Sequence, residues 1–261
     1  MFKKITAFIV VFIFVLVLAA CGKAPANNAV KTGVAYGITH KDYVGVVTVQ
    51  VKGEEVTNVS VEEYFLPNTW AKIQKLEIDE VPADVVVDGA SWYGKHLVIG
   101  DKHFTGELRS EPLVIDGVTY AKQSIKYSAE GVNDLYTWLR TSEENRKWYV
   151  EAIENGDVFV ADADFEASEY VTASALNDDG VLGFTKSTTG YWKGNENQLG
   201  WSGNMNENNK ALTGTKMDVS LDNIEKNENN YWVIGDIVSG ATLVDFKDYY
   251  TIAQAAYNKA E

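Results

Sequence analysis

The sequence predicts an α+β fold with a largely antiparallel sheet and packed helices. From about residue 32 the chain alternates apolar and polar residues in short runs that are separated by Gly-containing turns, which is typical of antiparallel strands. From about residue 129 the apolar residues recur at helical spacing, and the last segment of the chain is again amphipathic with a helical period. These observations predict a sheet built mainly in the first half and helices that pack on it.

The N-terminal segment has the pattern of an export signal. Lys3 and Lys4 precede an apolar run over residues 5–18, which is shorter than the roughly 20 residues that a membrane span needs. The following letters "LVLAAC" resemble a bacterial lipobox, and this implies removal of residues 1–20 and lipidation of Cys21. We therefore expect a lipid anchor on the extracytoplasmic face of the cell membrane. The alternative for Cys21, the only cysteine, is a free thiol.

The remaining chain divides by composition. Residues 21–31 are mostly small, polar or turn-forming after the cysteine, and they predict a flexible tether. Residues 32–128 predict a β-rich N-terminal lobe, and residues 129–261 a C-terminal lobe with several helices. The two lobes form either one domain or two.

The N-terminal lobe opens with a predicted β-hairpin. The stretch "DYVGVVTVQVKGEEVTNVSVEEYFLP" alternates on both sides of Lys52-Gly53. A short helix is predicted over residues 70–76, and further strands in "VPADVVVDGASWYGKHLVIG" and around Asp116-Gly117. The valines expected to mark the buried face of the hairpin are Val47, Val49, Val51, Val56, Val59 and Val61.

The C-terminal lobe begins with two predicted helices that meet near Thr141-Ser142, the second ending at Asn155-Gly156. The Gly- and Asn-rich stretch "STTGYWKGNENQLGWSGNMNENNKALTGT" predicts a long loop or a loosely built hairpin. Strands are predicted in "KMDVSLDNI" and "NYWVIGDIV", and an amphipathic helix over residues 244–260.

The charge balance excludes some partners. The chain carries 23 Lys and Arg against 37 Asp and Glu, a formal net charge of −14. Binding to nucleic acid depends on basic contacts to phosphate, so this composition disfavours it. The sequence also shows no Ser-His-Asp arrangement and no phosphate-loop signature. Hydrolase and nucleotide-hydrolysing functions are therefore not expected.

The run Ser239-Gly240-Ala241-Thr242 stands between a predicted strand and the last predicted helix. Gly240 permits unusual backbone angles and Ala241 leaves space for a close approach. The first turn of a helix presents unpaired N–H groups that suit a phosphate, and the Thr242 hydroxyl would stand beside it. The alternative is a simple helix cap, in which Ser239 or Thr242 accepts a backbone hydrogen bond.

Two ends of the chain resemble one family. The pattern "GYxGxxxVxVxxGxxxxV" opens many extracytosolic FMN-binding domains, and Tyr43, Gly45, Thr48 or Val49, Gly53 and Val59 follow it closely. The same domains close with an Asp, two β-branched residues and Ser-Gly-Ala-Thr, which "DIVSGAT" reproduces over residues 236–242. The chain thus resembles flavin lipoproteins of extracellular electron transfer and the flavin-carrying subunits of ion-pumping NADH–quinone reductases.

The resemblance implies that Thr242 carries FMN through a phosphoester. It also implies a flavin transferase that uses FAD, and a membrane electron donor such as a quinone-linked dehydrogenase. The cofactor would supply the redox chemistry and the protein its attachment and orientation, so an electron carrier needs no catalytic base. Asp236 would shape the turn or the recognition site of the transferase.

Weaker candidates for cofactor contact lie elsewhere. The segment "VVDGAS" echoes "IVSGAT" and puts Ser91 in the place of Thr242, with a hairpin turn at Asp88-Gly89 as the alternative. Trp192 and Trp201 stand close to glycines, where a flat ring could stack, with packing in a core or on the surface as the alternative for each.

Two functions of other classes remain open from the sequence. One is a non-redox exported lipoprotein that binds a small ligand or a surface partner through the tryptophan-containing loop. The other is a structural or adhesive surface protein.

Overall fold

The computed structural model describes residues 29–173, 175–177 and 179–260. The predicted signal, Cys21 and most of the predicted tether therefore lie outside the described residues. In chain order the strands are β1 (Val30–Thr39), β2 (Tyr43–Lys52), β3 (Glu55–Phe65), β4 (Lys72–Ile73), β5 (Val85–Asp88), β6 (Ser91–Gly94), β7 (His96–Ile99), β8 (Lys102–Leu108), β9 (Leu113–Ile115), β10 (Val118–Tyr120), β11 (Ile125–Ser128), β12 (Val158–Ala161), β13 (Ile224–Lys226), β14 (Trp232–Ile234) and β15 (Ile237–Val238). The helices are α1 (Pro67–Trp70), α2 (Leu135–Thr141), α3 (Glu143–Glu154), α4 (Lys186–Thr189), α5 (Gly200–Leu212) and α6 (Phe246–Ala260).

The α+β class is confirmed. Every pairing between these strands is antiparallel, and the sheets have the orders β1-β2-β3, β4-β6-β5, β11-β8-β7-β12, β10-β9 and β13-β14-β15. Among the described residues, no helix is both long and apolar enough to cross a membrane.

The predicted hairpin is present as β2 and β3, and Gly53 turns it with φ +66°. Val47 pairs with Val61, but the register shifts between Gln50 and Val51. Such a bulge inserts one extra residue in β3, so Val56 and Val59 share the buried face despite their odd spacing. The sequence missed β1, which starts inside the predicted tether at residue 30.

Helix α6 covers one face of this first sheet. Its apolar side chains pack with the buried valines of β2 and β3 in one core cluster. Gly33 of β1 lies directly beneath Ala256, where an added Cβ would overlap the helix backbone. The helix can therefore approach the strand closely only because residue 33 has no side chain.

A second core cluster lies at the other end of β2 and β3. It joins Tyr43, Val44, Tyr64 and Phe65 to the strands of the middle segment and to α2 and α3. The helices predicted around Thr141-Ser142 are confirmed: the Ser142 hydroxyl caps α3 by accepting a hydrogen bond from the Asn145 N–H (3.2 Å). This cluster contains residues from both sides of position 128.

Several predicted boundaries differ from the structure. The helix expected over residues 70–76 is instead α1 followed by β4, because Pro67 occupies the first turn of an earlier helix. The stretch "KMDVSLDNI" contributes a 3₁₀ turn at Leu221–Asn223 before the short β13. The Gly- and Asn-rich stretch contains α5, where a loop or hairpin was expected.

Candidate functional site

The segment 239–243 is held by one tryptophan of β14. The Ser239 N–H donates to the Trp232 carbonyl (2.8 Å), and the Trp232 N–H donates to the Ala241 carbonyl (3.5 Å). The indole N–H of Trp232 also donates to the carbonyl of Leu243. Because successive backbone groups are bonded to the same residue, the segment has little freedom to move.

Each residue before Thr242 fits its surroundings for a separate reason. The buried Ser239 hydroxyl accepts a hydrogen bond from the Ala241 N–H (3.3 Å) and closes a local turn. Gly240 faces Glu207 of α5, whose carboxylate would overlap any Cβ at that position. Ala241 is fully buried in the α6 cluster. The small side chains therefore let this segment enter the core between α5 and α6.

Thr242 is the hydroxyl-bearing residue of the run that lines an opening. Its N–H donates to Oδ1 of Asn204 (2.8 Å), and its hydroxyl lies 3.4 Å from the same oxygen. Its carbonyl accepts a hydrogen bond from Nζ of Lys226 (3.3 Å). Hydrogen bonds thus hold both the N–H and the carbonyl of Thr242, while the residue stays half-buried.

The opening is a cleft of about 670 Å³, within the range of small-molecule and cofactor sites. It brings together three of the residues that the sequence singled out, namely Gly240, Thr242 and Trp192. The other lining residues are Asn195, Glu196, Asn197, Gln198, Leu199, Glu207, Asn230 and Tyr231.

Trp192 forms an aromatic wall of this cleft and is 40% exposed. Its backbone has φ +48°, a region that bulky residues rarely adopt. The Trp192 carbonyl accepts a hydrogen bond from the Trp201 N–H (2.9 Å), and its indole N–H donates to the Gln198 side chain (3.4 Å). One hydrogen bond therefore holds the backbone of Trp192 in this unfavourable conformation, and a second holds its ring.

The charge of the cleft is negative. Among the lining residues that the structure describes there is no Lys, Arg or His, whereas Glu196 and Glu207 contribute carboxylates. Lys210 pairs with Glu207 (2.5 Å) from α5, and Lys226 reaches the carbonyl of Thr242. A free anion would find few cations here, so the lining favours a neutral ligand or one attached by a covalent bond.

Trp201 lies close to this cleft in sequence but points elsewhere. Its side chain is buried at the start of α5, and its indole N–H donates to the Glu63 carboxylate (2.5 Å). It packs with Met205 and Tyr249 and does not line the cleft of Thr242. Trp192 and Trp201 therefore do not form a stacking pair around one ligand.

The remaining predicted site residues are also apart from the cleft. Asp236 is exposed in the turn between β14 and β15, beside Gly235, which has φ +59°. Ser91 pairs with Asp88 at the end of the β5–β6 hairpin, which agrees with the turn alternative. Cys21 lies outside the described residues.

The predicted phosphate cradle at the start of the last helix is not present. Helix α6 begins at Phe246, four residues after Thr242, and neither Ser239 nor Thr242 caps it. The first turn of α6 instead holds its own carboxylate, Asp248, which accepts a hydrogen bond from the His40 N–H (3.1 Å). Burial raises the pKa of Asp248.

The sequence did not reveal the residues that hold Thr242. Asn204, Lys226 and Trp232 lie 38, 16 and 10 positions away along the chain. The one feature of the sequence that could have indicated Asn204 is the high proportion of Asn in the segment that forms α5. No cluster of three or more His, Cys, Asp or Glu side chains that could hold a metal ion occurs in the described part of the chain.

A scan of protein-family models, a search of curated proteins and a search of solved structures each give no match to this chain.

Proposed function

We propose that this protein is a lipid-anchored extracellular flavoprotein that carries FMN on Thr242 as a phosphoester and transfers electrons between a membrane redox partner and an external acceptor. The observation that carries the proposal is that Thr242 lines a cleft with an aromatic wall, while hydrogen bonds hold both its N–H and its carbonyl. The proposed anchor, Cys21, would keep the cofactor near its membrane partner.

The residues of the cleft fit such a group. Trp192 offers a flat face for a ring system, and the side-chain amides of the cleft offer donors and acceptors to a polar heterocycle and a polyol chain. The ammonium of Lys226 lies within hydrogen-bond distance of the Thr242 carbonyl. Since the lining lacks a basic cluster, a covalent ester would supply the retention that electrostatics does not.

The flavin, when bound, supplies the electron chemistry, and the chain supplies attachment and surroundings. Thr242 holds the phosphoester oxygen, Asn204 holds the backbone of Thr242, and Trp192 limits where a ring could lie. None of these side chains has to exchange a proton for an electron carrier to work.

The test is a comparison of Thr242→Val with Thr242→Ser. Each chain is co-expressed with an active flavin transferase, purified, denatured and weighed by mass spectrometry. We expect the wild type and Thr242→Ser to gain the mass of an FMN phosphoester, because both retain a hydroxyl. We expect no gain for Thr242→Val, which removes one oxygen at nearly constant volume.

A wild-type chain that stays unmodified beside a flavinylated control substrate would contradict the proposal. Flavin that remains on Thr242→Val after denaturation would move the attachment to another residue. Peptide mapping identifies that residue directly, because trypsin releases position 242 in the peptide over residues 227–247.

A second candidate is a non-redox lipoprotein that binds a neutral small molecule. The same cleft supports it, because Trp192, Tyr231 and the lining amides also suit a planar or polyhydroxylated ligand. Material matured in the native host distinguishes the two. A colourless protein with an unmodified Thr242 peptide and a saturable quench of tryptophan fluorescence by such a ligand would favour this candidate.

A further inference from the structure

Asn204 is a fully buried amide on α5, and its orientation is determined by its neighbours. Its Nδ2 donates to the Gly200 carbonyl one turn earlier (2.7 Å). Because this end of the amide must be the donor, the other end, Oδ1, is the acceptor that faces Thr242.

That oxygen contacts Thr242 at two atoms. The bond from the Thr242 N–H is short at 2.8 Å, whereas the hydroxyl contact at 3.4 Å is long and weak. Asn204 therefore holds mainly the backbone of Thr242 and also offers an acceptor for its hydroxyl hydrogen. With that hydrogen turned towards α5, the lone pairs of the hydroxyl oxygen are free to face the cleft.

The same turn of α5 is in close contact with the backbone of Trp192, the residue that forms the aromatic wall of the cleft. Gly200 has φ +65°, and an added Cβ there would overlap the Gly194 N–H and the Trp192 carbonyl. The Trp201 N–H donates to that same carbonyl (2.9 Å). One helical turn thus contacts Trp192 through its first residues and Thr242 through Asn204.

We propose that Asn204 is the positioning residue of the modification site. It fixes the backbone of Thr242 beside the segment that carries Trp192, so that the threonine is presented at the cleft to an incoming flavin nucleotide. The inference rests on the proposed function, since it assigns a role in the modification of Thr242. A neutral amide does not accept the proton, so Asn204 acts through Thr242 and is not itself catalytic.

The step that Asn204 assists is a group transfer. The Thr242 oxygen attacks the FMN-side phosphorus of FAD, an O–P bond to Thr242 forms, and the P–O bond to the AMP moiety breaks. AMP leaves with the electron pair of that bond, and the hydroxyl proton passes to the transferase or to water. Nothing is oxidised or reduced.

Asn208 provides a matched control on the same helix. It lies one turn after Asn204, is 1% exposed, and has only a weak contact from Nδ2 to the sulfur of Met205 (3.9 Å). Its Oδ1 has no hydrogen-bond partner among the described residues, and no hydrogen bond joins it to Thr242 there. Removing either amide deletes the same group from a buried position of α5.

The experiment measures the rate of flavin addition by purified transferase and FAD to the mature chains of wild type, Asn204→Ala, Asn204→Asp and Asn208→Ala. We expect Asn204→Ala to lower kcat for modification about tenfold or more with little change in KM, because the part-buried Thr242 N–H loses its acceptor. Asn208→Ala should stay within about twofold of wild type, a change too small to involve a lost acceptor. Asn204→Asp retains an acceptor oxygen and should recover part of the rate.

Hydrogen exchange gives a readout that does not depend on the transferase. The Thr242 amide should be protected in wild type and Asn208→Ala and should exchange faster in Asn204→Ala, if the chain is assayed below its melting temperature. Should Asn204→Ala not fold, Asn204→Leu takes its place, because it also removes the acceptor oxygen but leaves less empty space in the core.

The outcomes separate the two proposals. A wild type that takes no flavin overturns the proposed function and this role together. A modified wild type with equal rates and equal Thr242 protection in Asn204→Ala overturns the role of Asn204 alone. Equal losses in Asn204→Ala and Asn208→Ala would show a general effect on α5 and also overturn it.

Discussion

At the scale of single residues, Glu63 is the most buried carboxylate in the part of the chain that the structure describes. It is fully buried in β3 and accepts hydrogen bonds from Thr39 (2.5 Å), Trp201 (2.5 Å) and Tyr249 (3.0 Å). Lys186 of α4 pairs with it at 2.9 Å. Glu63 therefore connects β3 with β1, α4, α5 and α6, and α5 is the helix among these that lines the cleft.

Lys186 is itself almost fully buried. Its ammonium lies 3.8 Å from the ring centre of Tyr43 and 4.8 Å from that of Tyr191, a cation–π arrangement. Tyr191 directly precedes Trp192 in the chain. The buried ion pair therefore also supports the segment that carries the aromatic wall.

Lys186→Met should destabilise the fold by about 3–5 kcal/mol, because it leaves the Glu63 carboxylate buried without its counter-charge. Urea unfolding followed by tryptophan fluorescence measures this loss. The control, Lys147→Met, breaks an exposed pair with Glu151 on α3 and should cost at most about 0.5 kcal/mol.

Adding Glu63→Gln to Lys186→Met should return part of the lost stability, because the uncompensated charge is then gone. Equal losses in the two lysine variants would contradict this account, since the burial of the pair would then have no effect on its contribution.

At the scale of elements, the approach of α6 to β1 depends on Gly33. Gly33→Ala should cost about 1–3 kcal/mol by overpacking, because the helix backbone at Ala256 occupies the space of the new methyl group. Thr32→Ala changes the neighbouring exposed residue of the same strand and should stay within about 1 kcal/mol. Midpoints of urea unfolding compare the two. A Gly33→Ala chain as stable as Thr32→Ala would mean that α6 moves away at no cost.

Elements with strong local patterns were predictable from the sequence. The β2–β3 hairpin follows from its alternation, and α2 and α3 from apolar spacing and the Ser142 cap. Helix α6 was predicted two residues too long at its start, within the usual uncertainty of helix ends.

Helix α5 shows why other elements were missed. Its segment is rich in Gly and Asn, which favour turns when taken alone. Long-range bonds hold it instead, from the Trp201 indole to Glu63 and from the Val59 N–H to the Asn209 side chain (2.8 Å). Local composition carries no information about such partners.

The candidate site also has a part that the sequence predicts and a part that it does not. The run that ends at Thr242 could be identified by its residue types, and Trp192 by its neighbouring glycine. The contacts of Thr242 with Asn204 and Lys226 could not, because they depend on how α5 and β13 pack.

At the scale of the whole molecule, the sheet β1-β2-β3 connects the two core clusters. The valines in the middle of its strands pack under α6, while Tyr43, Val44, Tyr64 and Phe65 pack in the other cluster. Because the same strands contribute to both, loss of the sheet would expose both cores. Unfolding should therefore involve the clusters together.

Buried tyrosines make this cooperativity measurable at high pH. Burial raises the pKa far above its ordinary value for six of the fourteen tyrosines, namely Tyr43, Tyr64, Tyr127, Tyr136, Tyr149 and Tyr249. In the unfolded chain each would ionise near its ordinary pKa of about 10. The folded state thus keeps protons that the unfolded state loses, so stability is fully present below about pH 10 and decreases as pH rises above it.

We expect alkaline unfolding to be steep and cooperative. Each such tyrosine removes about 1.4 kcal/mol per pH unit above pH 10, and six together remove roughly 8 kcal/mol per unit, comparable with the whole stability of a typical domain. Tyrosinate absorbance should therefore rise in one step that coincides with the loss of far-ultraviolet circular dichroism. Burial and a hydrogen bond to Asp84 (2.7 Å) raise the pKa of Tyr170 to about 12. Tyr170 should ionise in the same step if the chain unfolds below that pH. Gradual ionisation of all tyrosines near pH 10 with intact secondary structure would contradict the burial of these rings.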